Sequence, residues 1–320
     1  MNSKTAPRGA IVVGVDGSAN SDLALDWAVD EATRRGLPLH IIHGIPYRSP
    51  MTRLGIGYEI DGLRQLAAGV RKDAIARVDR ANPELVVTWD QSTYGPASAL
   101  VDASDTADTV VVGARGMSRG MGVLMGSVSI QVAAHADCPV VVVRALRASA
   151  AAEAAVVVGV DGSASSELAI AFAFEQARSR GVGLTAVHAW RLDHIEGAFA
   201  SSIWTVDWPT FAQGEQILVA DSLAGWREKY PDVAIRQHSL RGLPVEALIR
   251  ASENACLVVV GTRGRGGFGG LLLGSVSQGV MHGAQCPVAI AHGPRESPSD
   301  GRTTDTVRHL VSVPAVHEHS

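Results

Sequence analysis

The sequence has 320 residues, and at roughly 150 residues per domain that length points to two domains. Apolar residues make up 46% and aromatics only 5%, so the core is built from Val, Ile, Leu and Ala, which excludes a disordered chain and suits parallel strands covered on both faces. A formal charge of −4 from 28 basic and 32 acidic residues leaves no footprint for nucleic acid or an anionic membrane, and Lys4, Lys72 and Lys229 are the only lysines, so a phosphate site must come from backbone amides, hydroxyls or arginine.

In chain order, residues 1–9 are polar and lack the apolar stretch of a secretory signal. β-Branched runs at residues 11–15, 39–45, 85–89, 109–113 and 140–143 read as strands, with helical periodicity between them at 21–35 and 61–80. Five strands alternating with helices imply an α/β fold, a parallel sheet with right-handed crossovers. The pattern then repeats. Residues 11–45 align without a gap on 156–190 with 17 of 35 positions identical, and residues 103–143 align on 251–291, so the offset grows from 145 to 148. The two copies span 8–144 and 155–293, joined by an Ala-rich linker at 145–154 and followed by a polar tail at 294–320 that is expected to be mobile. His309, His317 and His319 lie in that tail and read as a solvated terminus. Three cysteines without a C-x-x-C pair read as buried thiols in a reducing cytoplasm, and no run reaches the roughly 18 apolar residues of a membrane span.

Ligands of such sheets sit beyond the carboxyl ends of the strands, where strand order reverses. The first strand ends in Gly14-Val15-Asp16-Gly17-Ser18, repeated as Gly159-Val160-Asp161-Gly162-Ser163. An acid there accepts from ligand hydroxyls or holds a metal through water; the same residues also make an ordinary helix cap, and the motif alone leaves both readings standing. The fourth strand carries more. Gly113-x2-Gly116-x9-Gly126-Ser127 recurs as Gly261-x2-Gly264-x9-Gly274-Ser275. Glycines let backbone approach a polyanion, and Gly-Ser opening a helix presents unpaired N–H groups, a hydroxyl and the positive dipole end to phosphate. Two decoys fail. Gly264-Arg265-Gly266-Gly267-Phe268-Gly269 fits a dinucleotide fingerprint, but the acid it requires about 20 residues on is missing and the first copy breaks the pattern. A P-loop is excluded because no Gly-Lys pair occurs.

These residues resemble the universal stress proteins, in the tandem-domain form common in actinobacteria, over roughly 280 residues. The resemblance implies two tandem Rossmann-like domains of the adenine nucleotide alpha hydrolase-like kind, each a five-stranded parallel sheet with helices on both faces. It implies ATP binding, two per chain, with Mg2+ accompanying the phosphates and Asp16 and Asp161 reaching a metal only through water. Adenine and ribose would lie against Gly14, Val15, Asp16 and Gly44, and the phosphates against Gly113, Arg115, Gly116, Gly126, Ser127, Val128 and Ser129. In the second copy the same roles fall to Gly159, Val160, Asp161 and Ala189, then Gly261, Arg263, Gly264, Gly274, Ser275, Val276 and Ser277. Departures are few: the Ala107-Asp108 pair becomes Ala255-Cys256, and Gly242-Leu243-Pro244 is shortened to Gly95-Pro96 in the first copy.

The expected function is that of an ATP-binding regulator in stress or growth arrest, acting on an unidentified protein partner. The alternative is a slow ATPase or phosphotransferase using the same sites. Phosphoryl transfer needs a positioned nucleophile and strong charge neutralisation, and neither a lysine nor a general base is readable. His43 and His188, matched near the end of the second strand, read as satisfied histidines. Met117, Met121 and Met125 read as loop packing, and Trp190, Trp204, Trp208 and Trp226 as buried packing. Cys138-Pro139 and Cys286-Pro287 precede the fifth strands, where the family pairs its two-fold partner; the two copies can satisfy that pairing within one chain, leaving other faces for a homodimer of tandem chains.

Overall fold

The computed structural model describes residues 6–44, 60–93, 95–116, 125–144, 154–191, 207–265 and 272–293. The first copy runs β1 (Ile11–Gly14), α1 (Ala19–Arg35), β2 (Leu39–Gly44), α2 (Ile60–Ala81), β3 (Val87–Ser92), α3 (Pro96–Ser104), β4 (Thr109–Gly113), α4 (Ser127–His135) and β5 (Val140–Val143). The second repeats it as β6 (Ala155–Gly159), α5 (Ala164–Arg180), β7 (Leu184–Trp190), α6 (Trp208–Lys229), β8 (Ile235–Arg241), α7 (Pro244–Ser252), β9 (Ala255–Gly261), α8 (Ser275–Gly283) and β10 (Val288–Ala291). The linker at 145–153 and the tail from 294, with its histidines, lie outside the described residues, as do Met117, Met121 and Trp204.

All ten strands form one sheet in the order β3-β2-β1-β4-β5-β10-β9-β6-β7-β8. Every pairing within a copy is parallel, and the copies join through the antiparallel pair β5–β10, with Val140 opposite Ile290 and Val142 opposite Val288. The fifth-strand contact is thus made inside the chain. Strands of Val and Ile with both faces covered give two continuous cores. One face is covered by α1, α2, α5 and α6, the other by α3, α4, α7 and α8. In each copy strand order reverses between the first and fourth strands, β1/β4 and β6/β9.

Local chemistry sets the element ends. Ser18 and Ser163 cap α1 and α5 by accepting from the N–H of Ser21 and Ser166, and both helices stop at a left-handed glycine, Gly36 or Gly181. The third strand begins two residues later than its apolar run predicts. Asn82 takes the N–H of Glu84 on its side chain and that of Leu85 on its carbonyl, which draws Leu85 into a turn. Three of the four tryptophans are described, and they pack half-buried rather than buried: Trp226 stacks near Phe174 and Tyr230, Trp190 meets Phe211 at 5.1 Å, and Trp208 lies under the Arg241 guanidinium. Met125 is buried in the second core.

Side chains on α1 and α5 also meet across the two-fold. Glu31, fully buried, accepts from Arg34 at 2.6 Å, from Gln176 at 2.8 Å and from Arg180 at 2.9 Å. Glu31 and Gln176 are equivalent positions, as are Arg35 and Arg180. Arg35 forks onto Asp108 at 2.5 and 2.9 Å, whereas the matching position in the second copy is Cys256, so Arg180 reaches across to Glu31 and lies over Trp27. The Asp108-to-Cys256 departure is therefore felt at the junction of the copies.

Candidate functional site

At the carboxyl end of β1 the chain turns through Asp16, whose Oδ1 accepts the N–H of Ser18 at 2.9 Å; Asp161 does the same with Ser163 N–H at 3.0 Å and also accepts its hydroxyl at 2.7 Å. The helix-cap reading of this motif thus holds, with one carboxylate oxygen helping to cap the helix while the other faces the neighbouring loop. A methyl added to Gly116 would stand 2.5 Å from Asp16 Oδ2, and one added to Gly264 would stand 2.5 Å from Asp161 Oδ2. The glycine after the fourth strand is therefore pressed onto the acid after the first.

The far side of the same loop meets the next helix. A methyl on Gly126 would lie 3.4 Å from Arg115 Cα, and one on Gly274 3.4 Å from Arg263 Cα. Gly126 and Gly274 donate their N–H groups to the carbonyls of Ala114 and Thr262, both at 2.8 Å, so each loop leaves its strand and returns on itself. The helices that follow, α4 and α8, carry no side-chain cap. Their first-turn N–H groups and dipoles face the exposed edge formed by Arg115, Gly116 and Ser127, or by Arg263, Gly264 and Ser275. An uncapped helix start of this kind is chemically suited to an anion. Among the described residues no group of three or more His, Cys, Asp or Glu gathers to hold a metal. Asp161 has a further claim on it, accepting the N–H of Arg265 on Oδ2 at 3.1 Å.

The sequence model described as "Universal stress protein family" matches residues 8–144 and 154–292. The chain belongs to that family. It is 38% identical over 303 residues to one universal stress protein of Mycobacterium tuberculosis, covering 90% of this chain and 99% of the relative. A second from the same species is 40% identical over 294 residues, covering 88% and 95%. The crystal structure of a universal stress protein from Archaeoglobus fulgidus DSM 4304 superposes with a TM-score of 0.63 at 21% identity, covering 90% of this chain and 97% of that one. No helix among the described residues is long and apolar enough to cross a membrane.

Within this universal stress protein the expected site residues divide into three groups. Asp16, Arg115, Gly116, Gly126 and Ser127 come together at the switch between β1 and β4, and Asp161, Arg263, Gly264, Gly274 and Ser275 do so between β6 and β9. Gly14, Gly159, Val128 and Val276 flank them half-buried. The remainder serve the fold where they stand. Ser129 and Ser277 are buried and donate their hydroxyls inward, to Gly113 O at 2.6 Å and to Thr262 O at 3.0 Å. Gly113 and Gly261 are closed off by the first helical turn, since a methyl on Gly113 would meet Asn20 O at 2.7 Å and one on Gly261 would meet Ser165 O at 2.6 Å. Val15 and Val160 are buried, with N–H groups given to Ile42 and Val187 and carbonyls bonded to His43 at 2.8 Å and His188 at 2.6 Å. Gly44 backs onto Pro96, 2.5 Å from where its Cβ would be, so the shortened Gly95-Pro96 entrance leaves no room for the alanine that Ala189 supplies in the second copy.

Two features went unread in the sequence. His188 Nε2 lies 2.6 Å from Glu215 Oε2 on α6, whereas His43 stacks near Trp89 and the position matching Glu215 is Ala67. His188 is thus a satisfied histidine, as read from the sequence, with an acid partner that the sequence did not show. Nothing local signals a partner 27 residues downstream in a helix of different sequence. The other is Arg265, visible only by setting the two loops side by side.

Proposed function

We propose that this universal stress protein binds one ATP in each copy, two per chain, at the switch points beside Asp16 and Asp161. The single observation that carries the reading is the Gly116 and Gly264 contact. A glycine pressed onto an acid, beside a helix start without a side-chain cap, occurs twice at the point where such sheets bind ligands. Adenine and ribose fall on the side of Asp16 and Gly44, or Asp161 and Ala189, and the phosphates on the loop and helix start. Mg2+ enters with the phosphates and reaches the acids through water. Occupancy then sets the conformation that a protein partner meets in stress or growth arrest.

The sites are read as binding sites and not as catalytic ones. Each histidine near them commits Nδ1 to a valine carbonyl, and among the described residues no base or lysine is seen positioned for phosphoryl transfer. The β5–β10 pairing inside the chain leaves other surfaces for a homodimer of tandem chains. Native mass spectrometry tests the reading: two nucleotides per chain are expected, and a protein that takes up none at millimolar ATP refutes it. Turnover above about one per second would move the protein to the kinase range and restore the enzymatic alternative.

A further inference from the structure

A further contact across the seam starts at Arg144, the residue that follows β5. Its half-buried side chain leaves the first copy and reaches the end of α8 in the second. Nη1 donates to Ala284 O at 2.8 Å and to His282 O at 3.3 Å, and Nη2 donates to Met281 O. Carbonyls at a helix end lack partners inside the helix, and a cation there faces the negative end of the dipole. Among the described residues no carboxylate forms an ion pair with Arg144, so its charge is turned onto α8.

The same side chain touches the first loop. Nη2 lies 3.8 Å from Met125 Sδ, and Met125 is buried immediately before Gly126. The Gly126 N–H donates to Ala114 O at 2.8 Å and the Ala114 N–H to Val143 O at 2.7 Å, so the base of the loop is fastened to the residue before Arg144. Burial lowers the Arg144 guanidinium from its ordinary value, and the like charge of Arg115 on that loop pushes the same way. An anion beside Arg115 offsets this repulsion and favours the charged grip on α8. That helix has nine residues, about 13 Å in length, and opens at Gly274-Ser275 in the second site. Its start therefore stands at one site while its end is held by a residue fastened to the other.

We infer that Arg144 couples the two sites, so that phosphate on the first loop firms the hold on α8 and tightens the second site, with the reverse effect required by linkage. The inference rests on the nucleotide reading above, and Arg144 acts in it as a positioning residue. The test is ATP calorimetry on the full chain for wild type and for G116A and G264A, each of which leaves one site to be filled. The product of the two association constants in wild type is expected to exceed the product of those in the single variants by about fivefold, at the low end of measured couplings. R144Q brings that ratio to about one while two nucleotides still bind; a merely structural role would lower Tm without moving it. Hydrogen exchange adds a readout that needs no change at Arg144: in G264A, ATP at the first site should slow the amides of residues 280–284. A wild-type ratio of one, a ratio unchanged in R144Q, or unchanged exchange at the end of α8 would each overturn the coupling. Should R144Q fail to fold, the wild-type ratio and the exchange in G264A decide. A wild type that takes up no nucleotide, or single variants that still take up two, would instead strike the underlying reading.

Discussion

The Glu31 carboxylate sits at a site with no solvent exposure, hydrogen-bonded to Arg34, Gln176 and Arg180 and with the Arg35 guanidinium 3.7 Å away. Burial pushes the Arg180 guanidinium down from its ordinary value, and Glu31 is the main charge opposing that. The substitution Glu31→Gln keeps the shape and the amide contact to Gln176 but leaves Arg180, only 11% exposed, without a counter-charge. Breaking a buried pair by removing one partner costs about 3–5 kcal/mol. Arg34 at 29% exposure can turn to water, which brings the expected loss to about 2–3 kcal/mol, or a fall of about 4–8 °C in Tm. Chemical denaturation and calorimetry measure both. The companion is the double substitution Glu31→Leu with Arg180→Leu, which removes both charges and should recover most of the loss, since apolar replacements of whole buried pairs are often neutral. A Glu31→Gln cost below about 1 kcal/mol, or a double variant no better than the single, would refute the view that this pair is an uncompensated charge when halved.

Three further outcomes follow from the geometry. Gly116→Ala and Gly264→Ala each drive a methyl against an aspartate oxygen, so each single variant should retain one nucleotide by native mass spectrometry and the double variant none, with circular dichroism unchanged. Gly44→Ala meets the Pro96 backbone and should cost about 1–3 kcal/mol in denaturant unfolding, whereas Ala189→Gly, which creates no overlap, should cost about 1 kcal/mol or less. Stability should fall at both ends of the pH range. Burial lowers His40 from its ordinary 6.5 against a weaker pull from Asp90, so the folded chain binds fewer protons there and stability is lost as the pH drops below about 6.5. Burial pushes the Cys138 and Cys286 thiols from 9.0 up to about 12, so the folded chain keeps those protons and loses stability as the pH rises from about 9 toward 12; Tm across a pH series checks both arms.

The fold was largely readable because its signals are local or repeated. Runs such as Val140–Val143 name themselves as buried strands, and the 145-residue offset places Asp161 by pointing from Asp16. The site's outline was readable for the same reason, through Gly116, Gly126 and their repeats. What escaped depends on where a side chain turns in space. Ser127 and Ser129 are two apart in one Gly-Ser-Val-Ser, yet helical geometry exposes the first and buries the second against Gly113 O. The crowding of Gly113 by Asn20 and of Gly261 by Ser165 spans more than 90 residues, as does the crossing of Arg180 to Glu31. Glu215 and Arg265 escaped because they are where the copies differ, and a repeat draws the eye to what is shared.

The antiparallel seam has a consequence during synthesis. β5 leaves the ribosome as Val140-Val141-Val142-Val143, and the strand that covers its open edge ends about 150 residues later at Ala291. At about 5–20 residues per second, the newborn first half waits roughly 7–30 s with a four-valine edge unpaired. Such an edge is a template for another nascent chain doing the same. At that seam another first half would present Glu31 and Arg35, where the chain's own second half presents Gln176 and Arg180.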